Sequence, residues 1–125
     1  MILDINALSA LAEGEPTAAR LVAGSGQTAI PVIVLGEYRF GIGRSRHRKE
    51  YERWLEEIVS KCRVLAVDEE TAVWYASLRR ELKDAGTPIP TNDEWIAALC
   101  RQHALPVVSR DRHFDQVAGV QRIDW

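Results

Sequence analysis

Short apolar runs alternate along this chain with longer stretches whose apolar residues recur at helical spacing. Met1 to Asp4, Gln27 to Ile30, Arg63 to Val67, Pro106 to Ser109 and Val120 to Asp124 read as strands. Between the first two fall short helices, Ala7 to Glu13 and Thr17 to Ala23, split by Gly14-Glu15-Pro16. Val32 to Arg44 reads as a helix apolar nearly all round, which predicts burial on several sides. Lys49 to Lys61 is amphipathic, with Trp54, Leu55, Ile58 and Val59 on one face. Asp68 caps a helix to Ala85 that Gly86 stops, Thr87 to Pro90 is a rigid loop, and Asn92 to His103 is the last helix. Strands separated by helices predict an α/β fold with a parallel sheet covered on both faces.

With 125 residues, 27% charged and 46% hydrophobic, residues 1–125 are expected to form one globular domain with its own core. No segment has the roughly 20 apolar residues of a membrane span and no signal peptide is evident, so a cytoplasmic protein is expected. Cys62 and Cys100 lack metal-site spacing and read as core residues in a reducing compartment, which argues against zinc. A net charge of −2 gives no overall attraction for nucleic acid, so a phosphate-bearing substrate needs local basic patches or bound cations. Arg44 to Lys49 is one basic block, and Arg79, Arg80 and Lys83 form a second. The first block reads equally as the cation-favouring C-terminus of the preceding helix or as a phosphate contact. Trp54, Trp74 and Trp95 lie on apolar helical stripes and read as core or dimer-interface groups, while the terminal Trp125 carries no signal.

Four carboxylates stand in apolar surroundings: Asp4 after the first strand, Glu37 inside the apolar helix, Asp93 heading the last helix, and Asp111 after the strand Pro106 to Ser109. In such sheets ligands bind beyond the carboxyl ends of the strands, where Asp4 and Asp111 both lie. Each acid has a structural alternative. Asp4 and Asp111 suit caps, and Asp93 lies inside Thr91-Asn92-Asp93-Glu94, which reads as a capping box with Thr91 as cap. Glu37 has Arg39 as a possible partner. If the four converge, neighbouring carboxylates about 4 Å apart repel by roughly 4 kcal/mol at an effective dielectric near 20. A divalent cation relieves that conflict, and an oxygen-only set without His or Cys selects Mg²⁺ or Mn²⁺.

Four segments carry a family resemblance: Ile2-Leu3-Asp4-Ile5-Asn6-Ala7-Leu8, Gly36-Glu37-Tyr38-Arg39-Phe40-Gly41, Ile89 to Ala98, and Val107-Val108-Ser109-Arg110-Asp111-Arg112-His113-Phe114. In order and spacing the chain resembles PIN-domain ribonucleases, specifically the VapC-type toxins of prokaryotic toxin–antitoxin pairs. The resemblance implies a three-layer α/β/α sandwich with a central parallel sheet. It makes Asp4, Glu37, Asp93 and Asp111 the acidic quartet that binds Mg²⁺ or Mn²⁺, with Asn6 and Ser109 orienting those carboxylates. Asp4 and Asp93 are the firmest metal ligands, and Glu37 and Asp111 bind directly, through water, or act as base. The implied reaction is hydrolysis of an RNA phosphodiester bond by metal-activated water in an in-line displacement, leaving a 5′-phosphate and a 3′-hydroxyl.

Two positions depart from the family pattern. Ile5 stands where relatives often carry Thr or Ser, and His113 where many carry a further Asp, for which Asp115 is a substitute; His113 itself reads as a surface turn residue. Arg110 and Arg112 flank Asp111 and read either as contacts to backbone phosphates or as charge balance. The resemblance also implies a small antitoxin (VapB-like) whose tail covers the active groove, and a homodimer built on the helices Lys49 to Lys61 and Asp68 to Ala85. Two alternatives are a catalytically inactive RNA-binding or regulatory module of the same fold, and a phosphatase using Asp4 as nucleophile. The second lacks the required Asp two positions on, where Asn6 stands.

Overall fold

The computed structural model describes all of residues 1–125. Five short strands, β1 (Ile2–Leu3), β2 (Ala29–Pro31), β3 (Arg63–Leu65), β4 (Val107–Val108) and β5 (Arg122–Ile123), form one sheet. Their order is β3-β2-β1-β4-β5, and every neighbouring pair is parallel. Six helices connect them: α1 (Ile5–Ala12), α2 (Pro16–Ala23), α3 (Val32–Ile42), α4 (Arg48–Ser60), α5 (Glu69–Asp84) and α6 (Thr91–His103). A 3₁₀ turn, Arg112–Gln116, precedes β5. Ile2, Leu3, Ala29, Ile30, Val107 and Val108 are all buried. Successive strand residues point to opposite faces, so burial of both members of each pair means that helices cover both sides of the sheet. The result is an α/β/α sandwich, as the alternation of segments predicts. No helix is long and apolar enough to cross a membrane.

The strands are short: none exceeds three residues, and pairing includes exposed Arg63 and Val64 of β3 as well as the buried residues of β1, β2 and β4. Asp68 caps α5 as anticipated: its side chain accepts from Thr71 N at 3.0 Å, and Thr71 Oγ1 accepts from Asp68 N at 3.0 Å, closing a capping box. Gly86 at φ +71° ends that helical segment.

Three expectations are corrected. α3 is not buried on several sides: Val34 and Tyr38 face the core, whereas Val32 is exposed and Phe40 is 89% exposed. Apolar composition alone does not supply a covering element on the outer face. Thr91 does not cap α6, because the helix already begins there. Pro90 occupies the N-cap without a side-chain bond, and Glu94 is buried with its Oε2 3.9 Å from Arg79 Nε, too far for a hydrogen bond. The block Arg44 to Lys49 does not belong to the C-terminus of α3. It forms the turn after α3 and the first residues of α4.

Candidate active site

Sheet order places the site. β2 and β3 extend from one side of β1, and β4 and β5 from the other, so the crevice at the carboxyl ends of β1 and β4 is the topological switch point. Leu3 pairs in register with Val108. The next residues, Asp4 and Ser109, therefore leave the sheet side by side.

Asp4 is 2% exposed and fully engaged. Its Oδ1 accepts from Ile5 N at 2.7 Å, and its Oδ2 accepts from Asn6 Nδ2 at 2.9 Å and from Ser109 Oγ at 2.7 Å. Asn6 Nδ2 also donates to Ser109 Oγ at 3.1 Å, and Asn6 Oδ1 accepts from Arg110 N at 3.0 Å. Asp111 N donates to Ser109 Oγ at 2.9 Å. Asn6 and Ser109 thus bind the first acid to the turn that carries the last. Asp4 caps α1 and also lies in the acidic cluster, so capping does not exclude a second role for it. The same is true of Asp111, whose Oδ1 accepts from His113 N at 2.9 Å at the start of the 3₁₀ turn.

Glu37 and Asp93 come from the helices. Asn92 Nδ2 donates to Glu37 Oε1 at 2.7 Å, while Glu37 Oε2 is buried without a partner. Arg39 forms no ion pair with it. Asp93 is 14% exposed at its side chain and Asp111 33%, so of the four acids only Asp4 is fully buried.

Electrostatics ties the four into one group. Burial raises the Asp4 carboxyl above the ordinary aspartate range despite its hydrogen bonds from Ser109 and Ile5, and the charges of Glu37 and Asp111 push it further. Asp93 is pushed up to about 6, chiefly by burial, with Asp4 and Asp111 adding repulsion that a hydrogen bond with His113 partly offsets. Crowded carboxylates with raised pKa values are a common mark of a functional site.

His113 is an exposed turn residue, as its sequence position suggests, but it is not unpaired. Its Nδ1 lies 3.0 Å from Asp93 Oδ2 and 2.9 Å from Asp111 Oδ1, and its pKa is raised, first by the hydrogen bond with Asp93 and further by the charge of Asp111. Asp93, Asp111 and His113 each offer a ligand atom within 4.8 Å of the others. A nitrogen donor thus stands beside the four oxygen-bearing acids. Asp115 does not replace a fifth acid, because Arg122 clasps it, with Nε 2.9 Å from Oδ1 and Nη2 3.2 Å from Oδ2. Trp125, silent in sequence, underlies Arg110: the guanidinium lies 4.5 Å from the ring centroid and donates to Trp125 O at 3.2 Å. Arg112 is exposed beside the site without an ion pair. The signals for His113 and Asn92 were their spacings, two residues after Asp111 and one before Asp93.

This donor set fits a divalent cation. It combines several carboxylates, two of them held above their normal pKa by burial and mutual repulsion, with the unpartnered Oε2 of Glu37.

A parallel sheet with acids gathered at its switch point defines a class before any individual protein. The PIN domain model matches residues 1–120, and the chain belongs to that family. Within it the similarity runs to the VapC type. The chain is 32% identical over 101 residues to ribonuclease VapC5 of Mycobacterium tuberculosis, covering 78% of this chain and 74% of that one. It is 30% identical to the tRNA(fMet)-specific endonuclease VapC of Shigella flexneri, covering 80% and 76%. In three dimensions it matches the DNA-bound VapBC of Salmonella typhimurium with a TM-score of 0.88 at 27% identity, covering 99% of this chain and 96% of the other.

Proposed function

We propose that residues 1–125 form one ribonuclease domain that hydrolyses RNA phosphodiester bonds with Mg²⁺ or Mn²⁺ held by Asp4, Glu37, Asp93 and Asp111, the toxin half of a toxin–antitoxin pair. The observation that carries this reading is the gathering of four acids from β1, α3, α6 and the turn after β4 at one sheet edge, within electrostatic reach of one another. Relatives of the chain that are ribonucleases support the substrate class.

When bound, the cation supplies positive charge to the scissile phosphate and acidity to the attacking water. Everything else falls to the chain. Asp4, fixed by three hydrogen bonds, and Asp93 at the head of α6 hold the ion, and Glu37 and Asp111 complete its surroundings. Asn6 and Ser109 keep the first and last acids in register, an orienting role that typically matters tenfold or more to a metal site. Glu37 Oε2, buried without a partner, is an oxygen that would either meet the ion, directly or through water, or take a proton from water, a choice it shares with Asp111. His113 spans Asp93 and Asp111, so that its imidazole offsets their repulsion when no cation does. Arg112, free of ion pairs, and Arg110, braced on Trp125, flank Asp111 and hold phosphates on either side of the cut.

An aspartyl-nucleophile phosphatase fits less well, since Asn6 replaces the second acid that such an enzyme needs. An inactive module is disfavoured by the retention of all four acids. The partner is a small antitoxin protein, which similarity to the VapBC complex supports; a basic side chain from it would suit the acidic cluster. A homodimer is expected to use exposed Val73 and Trp74 on α5, and the cytoplasm is the expected place of action. The purified chain, incubated with total RNA, should cleave it in Mg²⁺ or Mn²⁺ and not in EDTA, and Asp93→Ala should be inactive. Cleavage that persists in EDTA rejects the reading.

A further inference from the structure

The most segregated charge in the molecule lies outside the acidic cluster. Residues 44–53 hold five cationic side chains, Arg44, Arg46, Arg48, Lys49 and Arg53, against Glu50 and Glu52. The segment carries +3 in a chain of net −2, which leaves −5 on the rest. Only Arg48 is neutralised, with Nε 3.1 Å from Glu52 Oε1; Arg44, Arg46, Lys49 and Arg53 form no ion pair. Together with Ser45 these side chains surround a concavity of about 480 Å³ that no apolar residue lines.

Stability does not explain the arrangement. Arg48 and Lys49 occupy the first turn of α4, where the helix dipole disfavours cations, and His47 at the N-cap makes no side-chain bond. Lys49 stands there without an ion pair, with Glu50 the one acid in the turn, and Arg44 and Arg46 just before the helix add repulsion that a bound anion would relieve.

The concavity adjoins, at Ser45, a second cleft that reaches Glu37 of the acidic site. A cleft of about 340 Å³ between α1 and α3 is lined by Ile5, Glu37, Tyr38, Gly41 and Ser45, and Ser45 lines the basic concavity too. From Glu37 to Arg44 the chain advances about 10 Å at 1.5 Å per residue, a span that a few linked nucleotides cover.

We propose that the α3–α4 turn is a second phosphate-binding site, in which Arg44, Arg46, Lys49 and Arg53 seat the RNA backbone at a distance from the bond that is cut. This rests on the ribonuclease reading and deepens it. The enzyme engages a strand longer than the nucleotides at the acids, and affinity for that strand comes from the basic turn rather than from the cut site.

Binding is measured in EDTA by fluorescence anisotropy, on fluorescein-labelled oligouridylates of ~20 and ~4 nucleotides, lengths that bracket ordinary single-strand site sizes. The variant Arg44→Gln/Arg46→Gln/Lys49→Gln is compared with wild type and with Arg20→Gln/Lys61→Gln/Arg63→Gln, which removes the same charge elsewhere on the surface. The basic-turn variant should bind the long strand about tenfold more weakly or worse. Loss of three phosphate contacts at about 0.7 each should flatten its plot of log affinity against log salt by about 2. The short strand and the control variant should be unaffected, and circular dichroism should report the same fold for all three proteins. Equal binding of the long strand by wild type and the basic-turn variant overturns the proposal, as does an equal loss in the control. Unchanged RNA binding with lost antitoxin binding also overturns it and assigns the turn to a protein partner. Failure of the parent reading is separate: wild type would then cleave no RNA in Mg²⁺ or Mn²⁺.

Discussion

Replacing Asp93 by Asn should stabilise the metal-free protein while removing its response to divalent cations. Asp93 sits at the head of α6 with its side chain 14% exposed, and its pKa is pushed up to about 6. A free aspartate titrates near 3.9, and each pKa unit corresponds to about 1.4 kcal/mol, so the ionised form costs at most about 3 kcal/mol at neutral pH. The hydrogen bond with His113 remains available to an Asn oxygen. A gain of about 1–3 kcal/mol is therefore expected from Asp93→Asn, or roughly 3–10 °C in melting temperature for a domain of this size. Thermal unfolding followed by circular dichroism near pH 7.5 in EDTA measures it. With excess Mg²⁺ the wild type should melt higher, as any ligand of the native state makes it do, and the variant should not. A variant that melts at or below wild type in EDTA, or that gains equally from Mg²⁺, would refute the argument that crowded carboxylates are held together for a cation.

The remaining predictions concern titration, the hydrogen-bonded frame and the core. Asp4, Asp93 and His113 all have raised pKa values, so the metal-free native state binds more protons than the unfolded chain in the mildly acidic range. Stability then rises as pH falls, and melting temperature in EDTA should climb from pH 8 toward pH 5; a fall over that window contradicts the assignment. Below about pH 4 the trend should reverse, because Asp68, Asp115 and Asp124 have lowered pKa values and lose their hydrogen bonds on protonation. Ser109→Ala removes the donor to Asp4 and the acceptor for Asp111 N, and should lower Mg²⁺ affinity by about 10–100-fold with the fold retained. Isothermal titration showing unchanged affinity would exclude an orienting role for Ser109. Cys100, buried and pushed up to about 12, should resist iodoacetamide in the native protein and react once it is unfolded. Rapid native alkylation would mean that the α6 side of the core opens readily.

The legible part of this protein is the part that chain-local chemistry determines. Apolar runs ended by Asp4 and Asp111 revealed strands and their carboxyl edge, because a parallel sheet buries both faces and polar residues appear where it stops. The capping box of Asp68 and Thr71 is half visible in sequence, since Asp68 before an apolar-periodic run marks a cap while Thr71 carries no such signal. What local pattern could not supply was the far partner. His113 looked like a turn residue, yet the 3₁₀ turn after Asp111 swings its imidazole onto Asp93, twenty residues away in sequence. Asn92 looked like part of a cap and instead holds Glu37 across the cleft. The apparent box at Thr91 failed because Pro90 moved the helix start by one residue. α3 misled because its apolar outer residues, Phe40 above all, have nothing packed over them.

The most direct test of the central claim is cleavage of one RNA by wild type and by the single variants Asp4→Ala, Glu37→Ala, Asp93→Ala and Asp111→Ala, with Mn²⁺ or Mg²⁺ present and the fragment ends identified by mass spectrometry. Wild type should yield 5′-phosphate and 3′-hydroxyl ends, and each variant should lose activity while keeping its helical spectrum. Cyclic phosphate ends, or full activity in the Asp4 or Asp93 variant, would contradict a cation-dependent hydrolytic centre built on these acids.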